Sequence, residues 1–236
     1  MITAVTAQNS RAVESVHCIP TRQILAQLDA VFTDFDVAAV KIGMLGSVAA
    51  VDAIAQYLAE TGARHVVLDP VLVASSGAAL LTPHGLARLR RQLIPLVELL
   101  TPNLPEAEAL LGRRLRSEQD MRGAGEDLLA LGAAAVLLKG GHRRGRIVRD
   151  YLFCGESMTV FSHARLLRSV RGTGCTLASA IASGLASKLP RHEAVARAEQ
   201  FLQREMRRAY RAGTGGMQAM SPAAAQAPVD RPGRKV

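Results

Sequence analysis

Four short, mostly apolar runs at residues 38–42, 65–68, 99–100 and 134–138 each end in polar or glycine-rich punctuation, with amphipathic segments between them. Strands read as near-continuous hydrophobic runs when helices cover both faces of their sheet. The pattern predicts an α/β domain with a mostly parallel central sheet and helices on both sides. Ahead of these runs, residues 2–7 form a β-prone stretch. A helix then opens at Pro20-Thr21, with Ile24, Leu25, Leu28, Val31 and Phe32 sharing one face. Ser47 caps a helix running to about residue 60, which Gly62 stops, and another helix covers about 83–93.

The second half repeats the rhythm. Ser117 starts a helix reaching residue 131, and residues 150–153 and 158–161 pair as a hairpin across Gly155. Helices span about 174–186 and 192–211, divided by Pro190. From Gly213 no periodicity remains. We expect one domain over 1–212 and a disordered tail over 213–236.

Composition narrows the function. No uncharged apolar run reaches the ~18 residues a membrane span requires, and the first residues lack the basic start and apolar core of a secretory signal. Three cysteines, Cys18, Cys154 and Cys175, show no paired framework and no CxxC spacing, which suits a reduced, cytoplasmic chain. Twenty-nine Lys+Arg against 20 Asp+Glu give a net charge of +9, which suits a polyanion: nucleic acid, an acidic membrane or a nucleotide phosphate. The arginines are scattered, aromatics make up 3% and there is no Trp, so a base-stacking platform is a poor fit. Neither nucleic acid nor membrane is an expected partner.

In sheets of this kind ligands bind at the carboxyl ends of the strands. Those ends carry Lys41-Ile42-Gly43-Met44, Asp69-Pro70, Thr101-Pro102-Asn103 and Lys139-Gly140-Gly141-His142. The strongest local motif is Arg171-Gly172-Thr173-Gly174-Cys175-Thr176, which leads straight into a helix. Exposed N–H groups and the dipole at a helix start make an anion site; a glycine-rich turn before a core helix is the plain alternative. Cys175 falls in the first helical turn, where the dipole lowers a thiol pKa, and an inert cysteine is the alternative there. No GxxxxGK[ST] string occurs, and no GxGxxG follows the first strand.

Six segments stand in a telling order: Val5-Thr6-Ala7-Gln8-Asn9, Lys41-Ile42-Gly43-Met44-Leu45, Leu68-Asp69-Pro70-Val71, Thr101-Pro102-Asn103-Leu104-Pro105-Glu106, Lys139-Gly140-Gly141-His142 and Gly172-Thr173-Gly174-Cys175. Together they resemble the hydroxymethylpyrimidine/phosphomethylpyrimidine kinase family of thiamine biosynthesis, a branch of the ribokinase-like fold, over residues 2–210. The resemblance implies ATP-dependent phosphorylation of 4-amino-5-hydroxymethyl-2-methylpyrimidine and then of its monophosphate. It implies that Gln8 reads the aminopyrimidine edge and that Met44 contacts the ring. Cys175 takes the place of the aspartate that deprotonates the attacking hydroxyl in ribokinase relatives. The N–H groups of Gly172, Thr173, Gly174 and Cys175 steady the transferring phosphoryl group. The resemblance likewise implies that Lys139 lies near the ATP phosphates, that Asn103 and Glu106 organise Mg²⁺ through water, and that Asp69 assists on the same rim. ATP is the implied co-substrate and a homodimer the implied assembly. Pyridoxine/pyridoxal kinase is the rival of the same class, and a non-catalytic nucleotide- or pyrimidine-binding remnant the rival of another.

The resemblance breaks at the front. Family members carry a strand, an Asp-Pro-Ser-Gly-Gly-Ala-Gly type segment and a helix before the Gln-Asn pair, about one βα unit of ~30 residues. A start assigned too late is the favoured explanation, because the phosphate-side residues are intact; a genuine truncation with impaired activity competes with it. The segment after Gly213 also departs from the usual family ending, and Arg171 stands where His is frequent.

Overall fold

In the computed structural model the described residues are 1–73, 79–143, 145–166, 170–216 and 218–220. The chain opens with an antiparallel ribbon, β1 (Ala4–Gln8) against β2 (Val13–Cys18). Then follow α1 (Thr21–Phe32), β3 (Val40–Ile42), α2 (Val48–Thr61), β4 (Val66–Leu68), α3 (Pro83–Arg88) and β5 (Leu99–Leu100). The second half holds α4 (Leu104–Leu111), α5 (Glu118–Leu129), β6 (Val136–Leu138), β7 (Ile147–Cys154), β8 (Ser157–Ala164), β9 (Val170–Arg171), α6 (Thr173–Ala186), α7 (Arg191–Arg207) and β10 (Gln218–Ala219).

The central sheet has the order β3-β4-β5-β6-β7-β8. Its first four strands are parallel, and β7 and β8 close it as an antiparallel hairpin. Successive side chains leave a strand on opposite faces, and the two cores follow that alternation. Val66, Leu68, Leu100, Val136 and Leu138 pack with Ile24, Ile54, Leu58, Leu110 and Leu128 on one side. Val67, Leu99 and Leu137 pack with Leu177, Ile181 and Ala198 of α6 and α7 on the other. This is the two-sided α/β arrangement expected from the sequence. Among the described residues no helix is long and apolar enough to cross a membrane.

Several boundaries fall as expected for stated reasons. Ser47 caps α2 by accepting from the Ala50 N–H at 3.1 Å, and Gly62 ends it in a left-handed turn at φ +60°. The helix expected over 83–93 is α-helical only to Arg88, then continues as a π turn (Leu89–Leu93) and a 3₁₀ turn (Ile94–Leu96) ahead of β5.

Others differ. The strand β2 and the helix α4 were not anticipated, and α7 ends at Arg207 rather than at 211. Order also runs past the expected boundary at 212. Gln218 and Ala219 pair in parallel with Val170 and Arg171, and Ala219 exchanges two backbone hydrogen bonds with Tyr210, at 3.1 and 2.9 Å. The backbone supplies this pairing, so no side-chain periodicity announces it. The remainder of the expected tail, 221–236, lies outside the described residues.

Candidate active site

The carboxyl ends of β3, β4, β5 and β6 lie side by side, so the residues just beyond them meet. Lys139 follows β6, and its backbone N–H donates to the Pro102 carbonyl at 2.9 Å, aligning it with Asn103 beyond β5. Its Nζ donates to Asp69 Oδ1, beyond β4, at 2.8 Å. Lys41 Nζ, on β3, lies 4.0 Å from Asp69 Oδ2. Asp69 is 2% exposed and Lys139 9%. Burial alone pushes the Lys139 ammonium down, but Asp69, then Glu106 and Asp150, more than offset it and leave the pKa raised. The ammonium is therefore charged across the neutral range.

Asn103 and Glu106 form a reciprocal cap at the start of α4. The Glu106 N–H donates to Asn103 Oδ1 at 3.0 Å, and the Asn103 N–H donates to Glu106 Oε2 at 2.8 Å. Burial pushes the Glu106 carboxyl up to about 7, with Lys139 and the Asn103 N–H pulling the other way. The cap engages Asn103 Oδ1, so the carboxylates of Glu106 and Asp69 are the hard oxygen donors on this rim. That donor chemistry fits Mg²⁺, which prefers oxygen and keeps several waters.

The N-terminus of α6 closes the rim. Gly172 sits in the left-handed region at φ +82°, where a side chain is strained, and no side chain caps the helix. The Thr176 N–H returns to the Gly172 carbonyl at 2.9 Å, so the first-turn N–H groups of Thr173, Gly174 and Cys175 are those a helix leaves without intrahelical partners. A Cβ added at Gly174 would stand 3.1 Å from Lys139 Nζ and 3.5 Å from Asp69 Oδ2. Glycine at 174 thus lets the start of α6 lie close against the Lys139 ammonium, and free N–H groups beside a cation suit an anion.

Cys175 meets this cluster through its thiol, on which Asp69, Lys41 and Lys139 all act. The residue is exposed, yet the walls of the rim desolvate the thiol and raise its pKa; Asp69 adds to the rise while Lys41 and Lys139 oppose it. The expectation that the helix dipole lowers this pKa is therefore corrected. Desolvation comes first among the causes, followed by the two lysines that oppose it and the Asp69 carboxylate that adds to it.

A cavity of about 390 Å³ adjoins the cluster, with Asn103, Lys139, His142, Asp150, Thr173 and Gly174 among its walls. Burial first, then Lys139 and Arg165, lower the pKa of His142. Cys175 also borders a wider groove of about 710 Å³ along α6 and α7.

Asp69, Asn103, Glu106, Lys139, Gly172, Thr173, Gly174 and Cys175 converge as the sequence suggests. Gln8 and Met44 belong to the segments that end β1 and follow β3, respectively. Gln8 is an exposed residue at the end of β1. Its neighbour Asn9 is tied to the rim, because Arg171 Nη1 donates to the Asn9 carbonyl at 3.1 Å. Met44 is half-buried, and its carbonyl accepts from Thr3 Oγ1 at 2.7 Å.

Two contributors had no role assigned from sequence. Lys41 is the second cation at Asp69. Arg165 binds the turn after Lys139, donating to the carbonyls of Gly141 at 2.7 Å and Gly145 at 2.8 Å, and also to that of Arg143. The quoted Lys41-Ile42-Gly43-Met44 segment could have flagged the first; nothing local flags the second.

A sheet wound on both faces, with an uncapped helix start beside a buried lysine at its carboxyl rim, is the arrangement of a ribokinase-like phosphotransferase. The chain belongs to the phosphomethylpyrimidine kinase family, whose model matches residues 1–220. It is 45% identical over 204 residues to the hydroxymethylpyrimidine/phosphomethylpyrimidine kinase of Rhizobium meliloti, covering 86% of this chain and 76% of that protein. It is 45% identical over 216 residues to the Thiamine biosynthesis bifunctional protein ThiED of Geobacter sulfurreducens, 91% of this chain but only 44% of that longer protein. Among solved structures, phosphomethylpyrimidine kinase from Clostridium difficile superposes with a TM-score of 0.77 at 37% identity, covering 87% and 84% of the two chains. An ADP complex of Bacillus subtilis pyridoxal kinase superposes with a TM-score of 0.83 at 31% identity, covering 92% and 82%.

Proposed function

We propose that this chain transfers the γ-phosphoryl group of ATP to the hydroxymethyl oxygen of 4-amino-5-hydroxymethyl-2-methylpyrimidine, and then a second phosphoryl group to the resulting monoester. The observation that carries the reading is the seating of the Cys175 thiol and the α6 amides against the Lys139–Asp69 pair. In the first step a bond forms between the substrate oxygen and γ-phosphorus, the bond to the ADP oxygen breaks, and the hydroxyl proton passes to the Cys175 thiolate, which becomes the neutral thiol.

The N–H groups of Thr173, Gly174 and Cys175, with the charge of Lys139, stabilise the equatorial oxygens as negative charge spreads over them. A raised thiol pKa leaves little thiolate at neutral pH but makes that thiolate a stronger base. Such a base suits a loose transition state, in which the hydroxyl proton leaves late. Lys139 holds Asp69 and faces the phosphates as a point charge. Glu106 and Asp69, with Asn103 fixing Glu106, would hold Mg²⁺ through its waters, and the ion when bound neutralises phosphate charge. Gln8 and Met44 are proposed pyrimidine contacts. A homodimer in a reducing cytoplasm is the proposed setting, in keeping with three unpaired cysteines.

The closer superposition on the Bacillus subtilis pyridoxal kinase supports a second reading, in which pyridoxal is the acceptor. Side-by-side turnover of the two alcohols with ATP separates the readings. The pyrimidine reading requires the higher kcat/KM on hydroxymethylpyrimidine and fails if pyridoxal is preferred.

A further inference from the structure

Beyond the rim, three side chains from three elements converge under the hairpin wall. Asp150 is on β7 and His163 on β8; His163 pairs with Val148, so Asp150 is its diagonal neighbour on the same face of the hairpin. Glu199 comes from α7. One ligand atom from each of the three lies within 4.8 Å of the others.

The polar inventory of this cluster does not close. Glu199 is 6% exposed and no donor reaches either of its carboxylate oxygens; it faces Asp150, with which it can share a hydrogen bond only through an added proton. Asp150 is 4% exposed and accepts the Gly140 N–H through Oδ1 at 2.6 Å, which occupies one of its oxygens. His163 Nδ1 lies 3.2 Å from the Ala164 carbonyl, which can only accept, so Nδ1 carries a proton. In the neutral ring Nε2 then presents a lone pair, and it stands 3.9 Å from Glu199 Oε2. Lys139, the cation that acts on Glu199, is bonded to Asp69. A buried carboxylate with no donor is costly unless a cation meets it. A histidine that gives its other N–H to a backbone carbonyl is oriented as metal-bound histidines are.

We propose that Asp150, His163 and Glu199 bind a first-row divalent cation, with zinc the best fit, tying the β7–β8 hairpin to α7. One imidazole and two carboxylates form a nitrogen–oxygen donor set that zinc accepts as three of four ligands. Two carboxylates balance the charge of the ion. Asp150 and His163 also line the cavity beside Lys139, so the fourth position faces water or an anion held there. The ion would thereby stiffen the cavity wall that carries Gly141 and the Gly140 N–H bonded to Asp150. The inference does not depend on the identity of the phosphoryl acceptor.

The test uses the full chain without an affinity tag, stripped with a chelator and free of nucleotide. Zn²⁺ is titrated calorimetrically and Co²⁺ by visible absorption. The site predicts one equivalent bound, Co²⁺ bands of low-coordinate geometry and a higher Tm with Zn²⁺. His163→Ala and Glu199→Gln should each weaken binding at least about 10-fold, whereas Cys175→Ser should bind as wild type does. His163 is half-buried on a strand, so its variant keeps the test decisive if Glu199→Gln does not fold. No stoichiometric binding by the natively folded chain overturns the proposal, since the carboxylates are then neutralised by a shared proton. Binding that survives both substitutions unchanged overturns it as well.

Discussion

Lys139 Nζ and Asp69 Oδ1 stand 2.8 Å apart across the ends of two parallel strands, both side chains withdrawn from solvent, with the start of α6 pressed against them. Lys139 is the closer of two cations at Asp69, so removing it leaves the carboxylate in a poorly solvated place with Lys41 alone, 4.0 Å away. Lys139→Ala should therefore cost about 3–5 kcal/mol of folding stability in urea titrations. Adding Asp69→Asn should restore part of that loss, so that the double variant is more stable than the sum of the two single losses.

The glycines after β6 are not equivalent. A Cβ at Gly140 would stand 2.0 Å from the Arg149 carbonyl oxygen, a backbone atom that cannot swing aside, while a Cβ at Gly141 meets nothing within 4 Å. Gly140→Ala should lower Tm by well over 10 °C or prevent soluble expression. Gly141→Ala should stay within about 0.5 kcal/mol of wild type, as surface substitutions do. Thermal unfolding of the pair checks both.

Glu106 makes stability depend on pH in a direction set by its burial. Its carboxyl is pushed up from 4.5 to about 7 in the fold, so the native state holds a proton that the unfolded chain has released. Its contribution is intact below the unfolded pKa and is lost as pH rises toward 7. Tm of the nucleotide-free protein should fall between pH 5 and 7.5, and Glu106→Gln should flatten that decline. Glu199, raised to about 9 chiefly by burial and then by Asp150, extends the fall to higher pH. A Tm that rises with pH across this window would contradict the assignment.

The thiol of Cys175 should alkylate more slowly at pH 8 than a free cysteine, because its pKa lies above the ordinary value of 9.0. Lys41→Met removes a cation that favours the thiolate and should slow it further. Peptide-resolved mass spectrometry after iodoacetamide pulses separates Cys175 from Cys18 and Cys154.

The strand–helix rhythm and the convergence at the rim were legible because each depends on local pattern. The strands β3 to β6 are apolar runs, and each ends at a residue that the site uses. The helix α4 is hard to see in the sequence because Thr101-Pro102-Asn103 reads as the close of a strand. Proline is well tolerated in the first turn, and the Asn103–Glu106 spacing is itself a capping signal. The direction of the Cys175 shift depends on which walls surround the thiol, and a helix-start argument omits them. Asp150, His163 and Glu199 share no sequence spacing at all. Only the diagonal across a hairpin and the register of a late helix bring them together.

Phosphorus NMR of the full chain with Mg²⁺-ATP and hydroxymethylpyrimidine addresses the chemistry most directly. Wild type should convert ATP to ADP while a phosphomonoester and then a diphosphate of the pyrimidine accumulate. Cys175→Ala should slow both steps at least about 100-fold, the usual weight of a general base, while binding ATP as wild type does by calorimetry. Phosphoryl transfer by Cys175→Ala at the wild-type rate, or nucleotide binding by wild type without any transfer, would contradict the assignment.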